Sequence, residues 1–466
     1  MADKKAPTFQ QNLTTWFKAN IAEFNPFNGL DPGHDSFVSW AGEWGISRGI
    51  VLCCFFVGFL LVLNLQVPNL PVFIFGWLAG TAPIWLPCAL YWAAWKAWIN
   101  YIRSNYLFNT KTIVLEVRIP REITKSPRAM ELVFQMLQVS SGEVSFIHRA
   151  WVGSVRPFFS FEMASFGGEI HFYVWCAASY RRVVESAIYG QYPEVEIFEV
   201  EDYMSKFHFD PKIHTCRVGD YVYKGATDEY PLKTYVDFEL DKDPDEENLV
   251  DPLGSAFEVL SSLKPTEQAW IQMNFRYATK NGIILRIDPR KDWLARIKKA
   301  VDKIRAEMIF REDENDKGFP RPTWKQTELM RALERQLMKT PFEVGMRFAY
   351  ISEGSLDGPT FTAIRWIFKN YNWESFAQFM RSFRGHDPFD YPWQDYKNMR
   401  WVLVTRRWLD AMRRRSYFYT PWVSPSMIMT PELMASLYHY PAGSIKAPGL
   451  RRIESHKTEP PPNLPR

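Results

Sequence analysis

The chain has 466 residues and a formal net charge of +4, which is long enough for a membrane anchor and about two further domains at roughly 100–200 residues each. A charge so close to balance does not by itself indicate a nucleic-acid-binding protein. The five cysteines are odd in number and lack metal-ligand spacing, so they fit buried free thiols better than a disulfide framework.

An uncharged run near the N-terminus predicts a membrane anchor. No residue from Gly49 to Trp95 is charged, and that length holds two helices of about 20 residues each. The helices are predicted near 46–65 and 72–95, separated by two prolines. The run is too long and too far into the chain for a signal peptide. Residues 46–98 are therefore predicted to form a transmembrane hairpin, with a buried hairpin in a soluble core as the alternative.

The charges that flank the hairpin predict its topology. Basic residues lie on both sides, at Lys4, Lys5, Lys18 and Arg48 before it and at Lys96, Arg103 and Lys111 after it. Because basic flanks stay cytoplasmic, both termini are predicted to be cytoplasmic. Within the N-terminal segment 1–45, Leu13 to Phe24 has helical apolar spacing, typical of an interfacial helix or of a short soluble one.

Small and aromatic residues of the second helix suggest its contacts. Gly76 and Gly80 form a small-xxx-small pattern, which permits close approach of the first helix or of a second copy of the chain, as a homo-oligomer. Pro83 and Pro87 predict a kink. The end of the helix carries an aromatic belt suited to a membrane interface: Trp92, Trp95, Trp98 and Tyr101.

The region after the anchor alternates apolar and polar residues, which predicts strands. The predicted order in residues 107–205 is β-α-β-β-α-β, the ferredoxin-like split unit. Its elements are a strand at 112–119, a helix capped by Ser126, strands at 158–166 and 169–176, a helix at 180–189 and a strand at 195–200. Gly167 and Gly168 between the middle strands are a strong hairpin signal.

A similar order is predicted in residues 206–420. Its elements are a strand at 234–240, a helix at 253–263, strands at 268–277 and 342–351, a helix at 360–371 and a strand at 401–405. A charged insertion at 288–340 is predicted to form two helices with a solvated outer face. The predicted fold class is therefore α+β: a two-helix transmembrane hairpin followed by two tandem ferredoxin-like domains, the second with a charged helical insertion.

The motifs of common active sites are missing from the sequence. It has no phosphate-binding Walker loop, no HExxH and no GxSxG, and no catalytic, cofactor or metal residue is predicted. An enzyme whose site is formed only by folding is the alternative. A basic run is predicted to contact phosphate, lipid headgroups, an acidic partner or, weakly, DNA: Arg406, Arg407, Arg413, Arg414 and Arg415.

The tail, residues 421–466, begins with a short helix and ends in a proline-rich stretch. Thr430 followed by Pro431 predicts the helix start. The apolar side chains of the tail predict a docking segment for a partner, or alternatively packing on the chain's own second domain. The predicted docking residues are Leu433, Leu437, Tyr438, Tyr440, Pro461, Pro462 and Leu464.

Two stretches resemble a known family. The tail from Met429 to Pro441 with Pro461-Pro462-Asn463-Leu464-Pro465, and the segment Phe158 to Tyr203, are similar to the membrane-anchored, ferredoxin-like N-terminal region of HerA/FtsK-type, coupling-protein-like ATPases of type IV secretion and conjugation in candidate-phylum bacteria. This chain departs from the family pattern at Met429 and Pro431. In the family the ATPase domain follows this passage, whereas this sequence stops at Arg466.

The resemblance implies a non-enzymatic platform in the bacterial inner membrane, with the bilayer and a separate DNA- or protein-translocating ATPase as partners. Two other functions stay open from the residues alone. One is a stand-alone, membrane-bound interaction module of the cell envelope, and the other is a membrane-interface enzyme with an unrecognised site.

Overall fold

The computed structural model describes most of the chain after the N-terminal segment. The described residues are 48–66, 70–120, 125–140, 142–143, 145–223, 228–242, 251–281, 288–310, 319–373, 380–385, 393, 395–441, 449–450 and 452–453. The chain divides into two compact units. The anchor unit comprises residues 1–91 and 388–401, and the sheet unit comprises residues 92–387 and 402–466. The predicted N-terminal helix at 13–24 lies outside the described residues.

Two apolar helices begin the described chain, α1 (Arg48–Gln66) and α2 (Leu70–Asn109). Among the residues that the structure describes, one helix, Val72–Asn109, is long and apolar enough to cross a membrane, whereas the apolar stretch Cys53–Val62 of α1 is shorter. The window of α2 that meets this criterion is 0% buried within the chain. The described part of the chain thus offers one membrane-length helix.

The second helix is longer than predicted. Its predicted end near Trp95 is wrong, because the helix includes Pro83 and Pro87 and continues to Asn109. In this extension Ile99 and Ile102 are buried and cluster with Ala150 of the sheet unit. Tertiary packing therefore continues the helix past the point where its apolar composition ends.

The first half of the sheet unit follows the predicted order. Its elements are β1 (Thr112–Pro120), α3 (Pro127–Met136), β2 (Phe159–Phe166), β3 (Glu169–Ala177), α4 (Arg181–Gln191) and β4 (Glu196–Val200). β1 pairs antiparallel with both β3 and β4, and β2 pairs antiparallel with β3. The strand order is thus β4-β1-β3-β2. Gly167 and Gly168 form the predicted hairpin turn with positive φ angles of 58° and 94°.

The second half contributes four strands to the main sheet, and two of these four were not predicted. Its elements are α5 (Tyr203–Lys206), β5 (His214–Tyr223), α6 (Leu253–Ser261), β6 (Glu267–Tyr277), α7 (Pro289–Glu307), β7 (Ile309–Phe310), β8 (Phe319–Pro320), α8 (Trp324–Leu337), β9 (Phe342–Glu353), α9 (Gly358–Arg365), β10 (Met380–Gly385) and α10 (Met399–Arg413). The predicted strand at 234–240 is wrong, since those residues form turns. The predicted strand at 401–405 is also wrong, since it lies inside α10.

The two halves share one sheet. β5 lies between β10 and β9, and β9 pairs with β6, so the second half has the order β10-β5-β9-β6. β6 then pairs antiparallel with β2 along eight residue pairs, from Phe159 opposite Phe275 to Phe166 opposite Gln268. The unit is therefore a mixed α/β fold built on one largely antiparallel, 10-stranded sheet. α7 and α8 form the predicted pair of helices and share an apolar cluster around Trp293 and Leu333.

The C-terminal segment is part of the fold. It comprises β11 (Met427–Met429), α11 (Pro431–Leu437) and β12 (Arg452–Ile453). β11 pairs with β9, and β12 pairs in parallel with the end of β1. The amide of Ile170 in β3 donates to the carbonyl of Gly449 at 2.8 Å. Gly449 thus bonds to β3, and Arg452 and Ile453 pair with β1, at one end of the sheet.

The two faces of the sheet differ in chemistry. Alternate residues of the strands, such as Leu115, Phe161 and Phe275, enter one apolar core with α3, α4, α6 and α11. The intervening residues of the central strands include buried polar and charged side chains: Ser160, Glu162, Gln272, Asn274, Arg276, Glu343 and Arg347. We call these the apolar face and the polar face.

Candidate functional site

A cavity of about 650 Å³ lies in the sheet unit, within the size range of small-molecule sites. Its walls come from the C-terminal end of α2, the residues before β2, and the loop that follows α10. Aromatic side chains supply much of the lining. Phe158 is central, with ring centroids 5.0 Å from Trp175, 6.3 Å from Phe418 and 6.1 Å from Tyr419.

The charged residues beside the cavity bond mainly to one another. Arg415 is fully buried, and its Nε donates to Glu162 Oε1 at 2.9 Å while its Nη2 donates to Asp202 Oδ1 at 3.0 Å. Glu162 also accepts from Ser160, Tyr203 and Gln272 at 2.6, 2.9 and 3.0 Å. Burial alone would lower the pKa of Arg415, but the carboxylates of Glu162 and Asp202 raise it above its ordinary value. This arginine stays charged.

Arg415 therefore cannot serve as the predicted phosphate or lipid contact, because its guanidinium is buried and saturated by carboxylates. Arg415 lies two residues beyond the end of α10 and has a positive φ of 49°. Its neighbour Arg414 stays at the surface, paired with Asp410 at 2.8 Å. Arg413 donates to the carbonyls of Met204 and Phe207 at 3.3 and 3.1 Å.

The other two predicted contact residues lie on α10. Arg406 and Arg407 are exposed, and the guanidinium of Arg407 lies 5.8 Å from the ring of Trp422. The surface part of the basic run is thus Arg406, Arg407, Arg413 and Arg414, and contact of these four with phosphate or DNA stays a prediction.

Arg156, which precedes β2, and Arg276 of the polar face form a second buried network. Arg156 Nη1 and Arg276 Nε donate to the two oxygens of Glu343, at 3.2 and 3.0 Å. The guanidinium of Arg276 also lies 4.5 Å from the ring of Phe418 and 4.9 Å from that of Tyr419. Through Arg276, this network therefore contacts the aromatic rings of the loop after α10.

A third buried pair joins the same loop to the second half of the sheet. Arg347 Nε donates to Asp220 Oδ1 at 3.1 Å, and its Nη1 donates to the carbonyl of Ser416 at 2.6 Å. The ring of Tyr417 lies over Gly345, where a Cβ would overlap it. The loop after α10 is therefore bound to the polar face from one end to the other.

Sequence reasoning missed these buried groups. Glu162 lies in the middle of β2, where both faces are buried, and a carboxylate at such a position needs a cationic partner. That signal was available. Its partner Arg415, however, lies 253 positions away in the chain, and no local pattern identifies it.

The predicted docking face of the tail is buried in the chain's own core. The side chains of Leu433, Leu437, Tyr438 and Tyr440 are at most 1% exposed. Tyr438 contacts Phe161 at a centroid distance of 5.4 Å, and Tyr440 contacts Phe172 at 5.4 Å. The expectation that these four are exposed is wrong, since the apolar face of the sheet covers them. Pro461, Pro462 and Leu464 lie outside the described residues.

The tail helix α11 begins as predicted, and a buried histidine after its end contacts an aspartate. Thr430 Oγ1 accepts from the amide of Leu433 at 3.4 Å, and Pro431 is the first helical residue. His439 is buried, and its Nε2 lies 2.8 Å from Asp251 Oδ2. Burial would lower the pKa of His439, but Asp251 raises it above its ordinary value of 6.5. This pair fixes the end of the helix against residue 251.

The remaining predictions concern the two glycines of α2, metal binding and the cysteines. A Cβ added at Gly76 or Gly80 would meet nothing within 4 Å, so no described part of the chain packs over these glycines. Within the described ranges no group of three or more His, Cys, Asp or Glu could hold a metal ion. The buried thiols are free, and burial raises the pKa of Cys176 to about 12.

Comparison with known proteins adds one match. A family model described as a domain of unknown function (DUF8128) matches residues 108–451. The matched region begins at the end of α2 and includes the buried networks and α11. No curated protein matches the chain.

Proposed function

The chain belongs to the DUF8128 family, domains of unknown function, and from that premise we propose that it is a non-enzymatic membrane platform. On this proposal the sheet unit is held at the bacterial inner membrane, where it recruits a translocating ATPase of a type IV secretion or conjugation-like machine. The observation that carries the platform role is the way in which α2 ends. Its last turns are part of the core of the sheet unit.

Three kinds of contact support that reading of α2. Ile99 and Ile102 are buried. The indole Nε1 of Trp98 donates to the carbonyl of Ala150 at 2.9 Å, and Arg103 Nη2 donates to Glu143 Oε1 at 3.3 Å. A membrane-length helix that ends in a folded core, and not in a linker, suits a protein that presents a surface at the bilayer.

The non-enzymatic part of the proposal rests on the state of the charged groups beside the cavity. Arg415 donates to both Glu162 and Asp202, and Asp410 accepts from Arg414 and Trp422. Groups bonded in this way are poorly suited to exchange protons with a substrate. Turnover of ATP by the purified full chain, at a rate that follows the protein through successive columns, would contradict the proposal.

The proposed topology is a two-helix hairpin with both termini in the cytoplasm, in which α1 is the other membrane helix. The basic residues on both flanks support it. Single cysteines at Leu30→Cys and Thr110→Cys, in a chain without its other accessible thiols, should react with a membrane-impermeant maleimide only after the cells are opened. Reaction of either cysteine in intact spheroplasts would contradict the topology.

We also propose that the sheet consists of two tandem ferredoxin-like units. The support is that both halves run β-α-β-β-α-β and share one strand order, β4-β1-β3-β2 and β10-β5-β9-β6. The units would meet edge to edge through β2 and β6. An experimental structure in which the two halves do not superpose would exclude this relationship.

The proposal of an ATPase partner rests on the family resemblance. The fold limits which residues of the tail could bind that ATPase. Because α11 is buried, it is not part of the docking segment that we propose. The proposed segment consists of the residues after Ile453, which include Pro461, Pro462 and Leu464. The test compares the full chain with a chain that ends at Ile453, each purified in mild detergent beside the Walker-containing translocase from the neighbouring genes. The full chain should retain the ATPase and the shorter chain should lose it.

A matched control keeps this experiment specific. A chain with Arg406→Ala and Arg407→Ala changes exposed charge but leaves the tail intact, so it should retain the ATPase as the full chain does. Equal retention by the shortened chain would exclude the tail as the docking segment. Failure of every chain to retain the ATPase would count against the secretion role itself.

A second candidate function is binding of an anionic amphiphile in the cavity. Its aromatic walls, with Arg413 and Arg414 among the lining residues, are suited to a molecule with an apolar part and an anionic group. Dodecyl phosphate should then raise the thermal midpoint of the full chain in dodecyl maltoside, and the Arg413→Gln, Arg414→Gln variant should lose that rise. An unchanged midpoint in the unsubstituted chain would exclude this candidate.

A further inference from the structure

We propose that the turn at residues 146–152 is a second membrane contact, which seats the sheet unit in the headgroup layer. This inference rests on the membrane anchoring proposed above. Together with two rings of α2, the turn forms what we call the interfacial patch: Trp98, Tyr101, Phe146, Ile147, Trp151 and Val152. All six belong to the sheet unit.

The apolar side chains of the turn point outward although the turn itself is well fixed. Ile147 and Trp151 are 62% and 58% exposed, and Phe146 and Val152 are also exposed. An exposed cluster of large apolar side chains marks an interaction surface in a soluble domain. The patch therefore needs an occupant.

Several contacts tie the turn to α2. Trp98 donates to the carbonyl of Ala150 at 2.9 Å, and its ring meets that of Trp151 edge-on at a centroid distance of 5.6 Å. Phe146 stacks on Trp95 at 6.4 Å. A π turn, His148–Val152, ends at Gly153, whose φ is 75° and where a Cβ would clash with the carbonyl of Ile102. The turn and the helix thus present their rings on one surface.

The occupant that fits is lipid. Trp98 and Tyr101 of the patch lie within Val72–Asn109, the helix that is long and apolar enough to cross a membrane, so lipid that surrounds this helix would also reach the patch. Tryptophan and tyrosine rings prefer the membrane–water interface, where one end is apolar and the other is wet. The rings of the patch are of that kind.

The charges near the patch point to insertion of apolar side chains, without a need for anionic lipid. Arg149 is buried and donates to the carbonyl of Glu143 at 3.2 Å, and Arg103 pairs with the carboxylate of the same residue. The ammonium of Lys96 lies 3.7 Å from the ring of Trp92. Contact should therefore persist in membranes of zwitterionic lipid alone.

The experiment places an environment-sensitive fluorophore at single cysteines of the full chain. Cys53, Cys54 and Cys88 are replaced by alanine, while the buried Cys176 and Cys216 stay. Labels are introduced at Ile147→Cys in the turn, at Ile84→Cys in the apolar stretch of α2, and at Met338→Cys. Met338 is 86% exposed and follows α8, so it serves as the aqueous control.

In phosphatidylcholine nanodiscs, the label at 147 should emit at a shorter wavelength than the label at 338. It should also lose quenching by iodide and gain quenching by lipids that carry a shallow spin label. The label at 84 should be protected from iodide as well. Because residues 84, 147 and 338 are exposed, these substitutions leave the core intact, and a common thermal midpoint verifies this.

Three outcomes would overturn the inference. If the label at 147 is as accessible to iodide as that at 338 while the label at 84 is protected, the anchor stands and the patch does not touch lipid. If the label at 84 is also accessible, the anchoring itself fails. If energy transfer between labelled copies accompanies protection at 147 without lipid quenching, a second copy of the chain occupies the patch.

Discussion

The apolar and polar faces of the sheet are both buried, but by different means. On the apolar face, rings and aliphatic side chains such as Phe161 and Tyr438 pack without directional bonds. On the polar face, carboxylates such as Glu162 meet arginines at hydrogen-bond distance. Apolar burial is proportional to area and tolerates some repacking, whereas a buried charge requires its particular partner. The polar face should therefore specify where the loop after α10 lies, and the apolar face should supply most of the cohesion.

The largest effect is expected from removing one member of a buried ion pair. Arg415→Met should lower the free energy of unfolding by about 3–5 kcal/mol, because it leaves Glu162 and Asp202 charged and unpaired. Denaturant unfolding in non-ionic detergent, followed by tryptophan fluorescence, measures it. Arg414→Met is the matched control, since its exposed pair with Asp410 should be worth at most about 1 kcal/mol. Equal losses in the two variants would contradict the distinction between them.

A somewhat smaller effect is expected on the apolar face. Leu437 is fully buried, and Leu437→Ala should cost about 2–5 kcal/mol, depending on how far the core collapses around the gap. Leu403 on α10 is 54% exposed, so Leu403→Ala serves as the control with little expected change. The same unfolding measurement applies. A negligible loss at 437 would mean that α11 does not belong to the core.

A pH-dependent effect is expected at the end of α11. His439→Gln should cost about 1.5–3 kcal/mol while the charge-assisted bond to Asp251 is present. Because the pKa of His439 is raised from 6.5, that stability is fully present below about pH 6.5 and is lost as the pH rises through the raised value. Burial would raise the pKa of Asp251, but His439 lowers it below its ordinary value of 3.8, so the stability that Asp251 contributes is present above that pH and is lost as the pH falls through the lowered value.

Thermal midpoints at pH 5.5 and pH 9 check this expectation. The difference between the unsubstituted chain and His439→Gln should be larger at pH 5.5. His208, which is exposed and bonds to the carbonyl of Lys206, provides the control, and His208→Gln should change neither midpoint. A difference at position 439 that is the same at both pH values would show that the imidazolium does not matter there.

The smallest effect is expected from a helix cap. Thr430→Ala removes the side chain that accepts from the amide of Leu433 and should cost about 0.5–2 kcal/mol. Ser126 has the same position at the start of α3, but its side chain makes no capping bond. Ser126→Ala should therefore be close to neutral, and an equal loss at both caps would mean that the hydrogen bond at Thr430 contributes nothing.

Local patterns in the sequence were sufficient for the first half of the sheet. The alternation TIVLEVRI predicted β1, and Gly167-Gly168 predicted the hairpin between β2 and β3. The second half of the sheet was harder to predict from the sequence, for physical reasons. β5 carries Gly219 and the buried Asp220 inside the strand, which masks its alternation, and the β-branched run WVLVT lies in a helix because tertiary packing outweighs propensity.

The candidate site could be predicted from the sequence only in part. Local spacing located the basic run, yet it could not separate Arg414, which stays at the surface, from Arg415, which is buried. The difference depends on Glu162 and Asp202, which only the fold brings to that position. The tail helix was predicted with its cap, but whether its apolar face was exposed or covered depended on a sheet surface far away in the chain.

The position of α11 also constrains the order of events during biosynthesis. α11 packs on α3, and Tyr440 reaches Tyr192 at the far end of α4, at a ring distance of 5.1 Å. The core of the first half of the sheet thus lacks a wall until residues 431–440 have left the ribosome. At about 5–20 residues per second, the first half waits roughly ten to fifty seconds after its own synthesis. Throughout that time this part of its apolar surface stays uncovered.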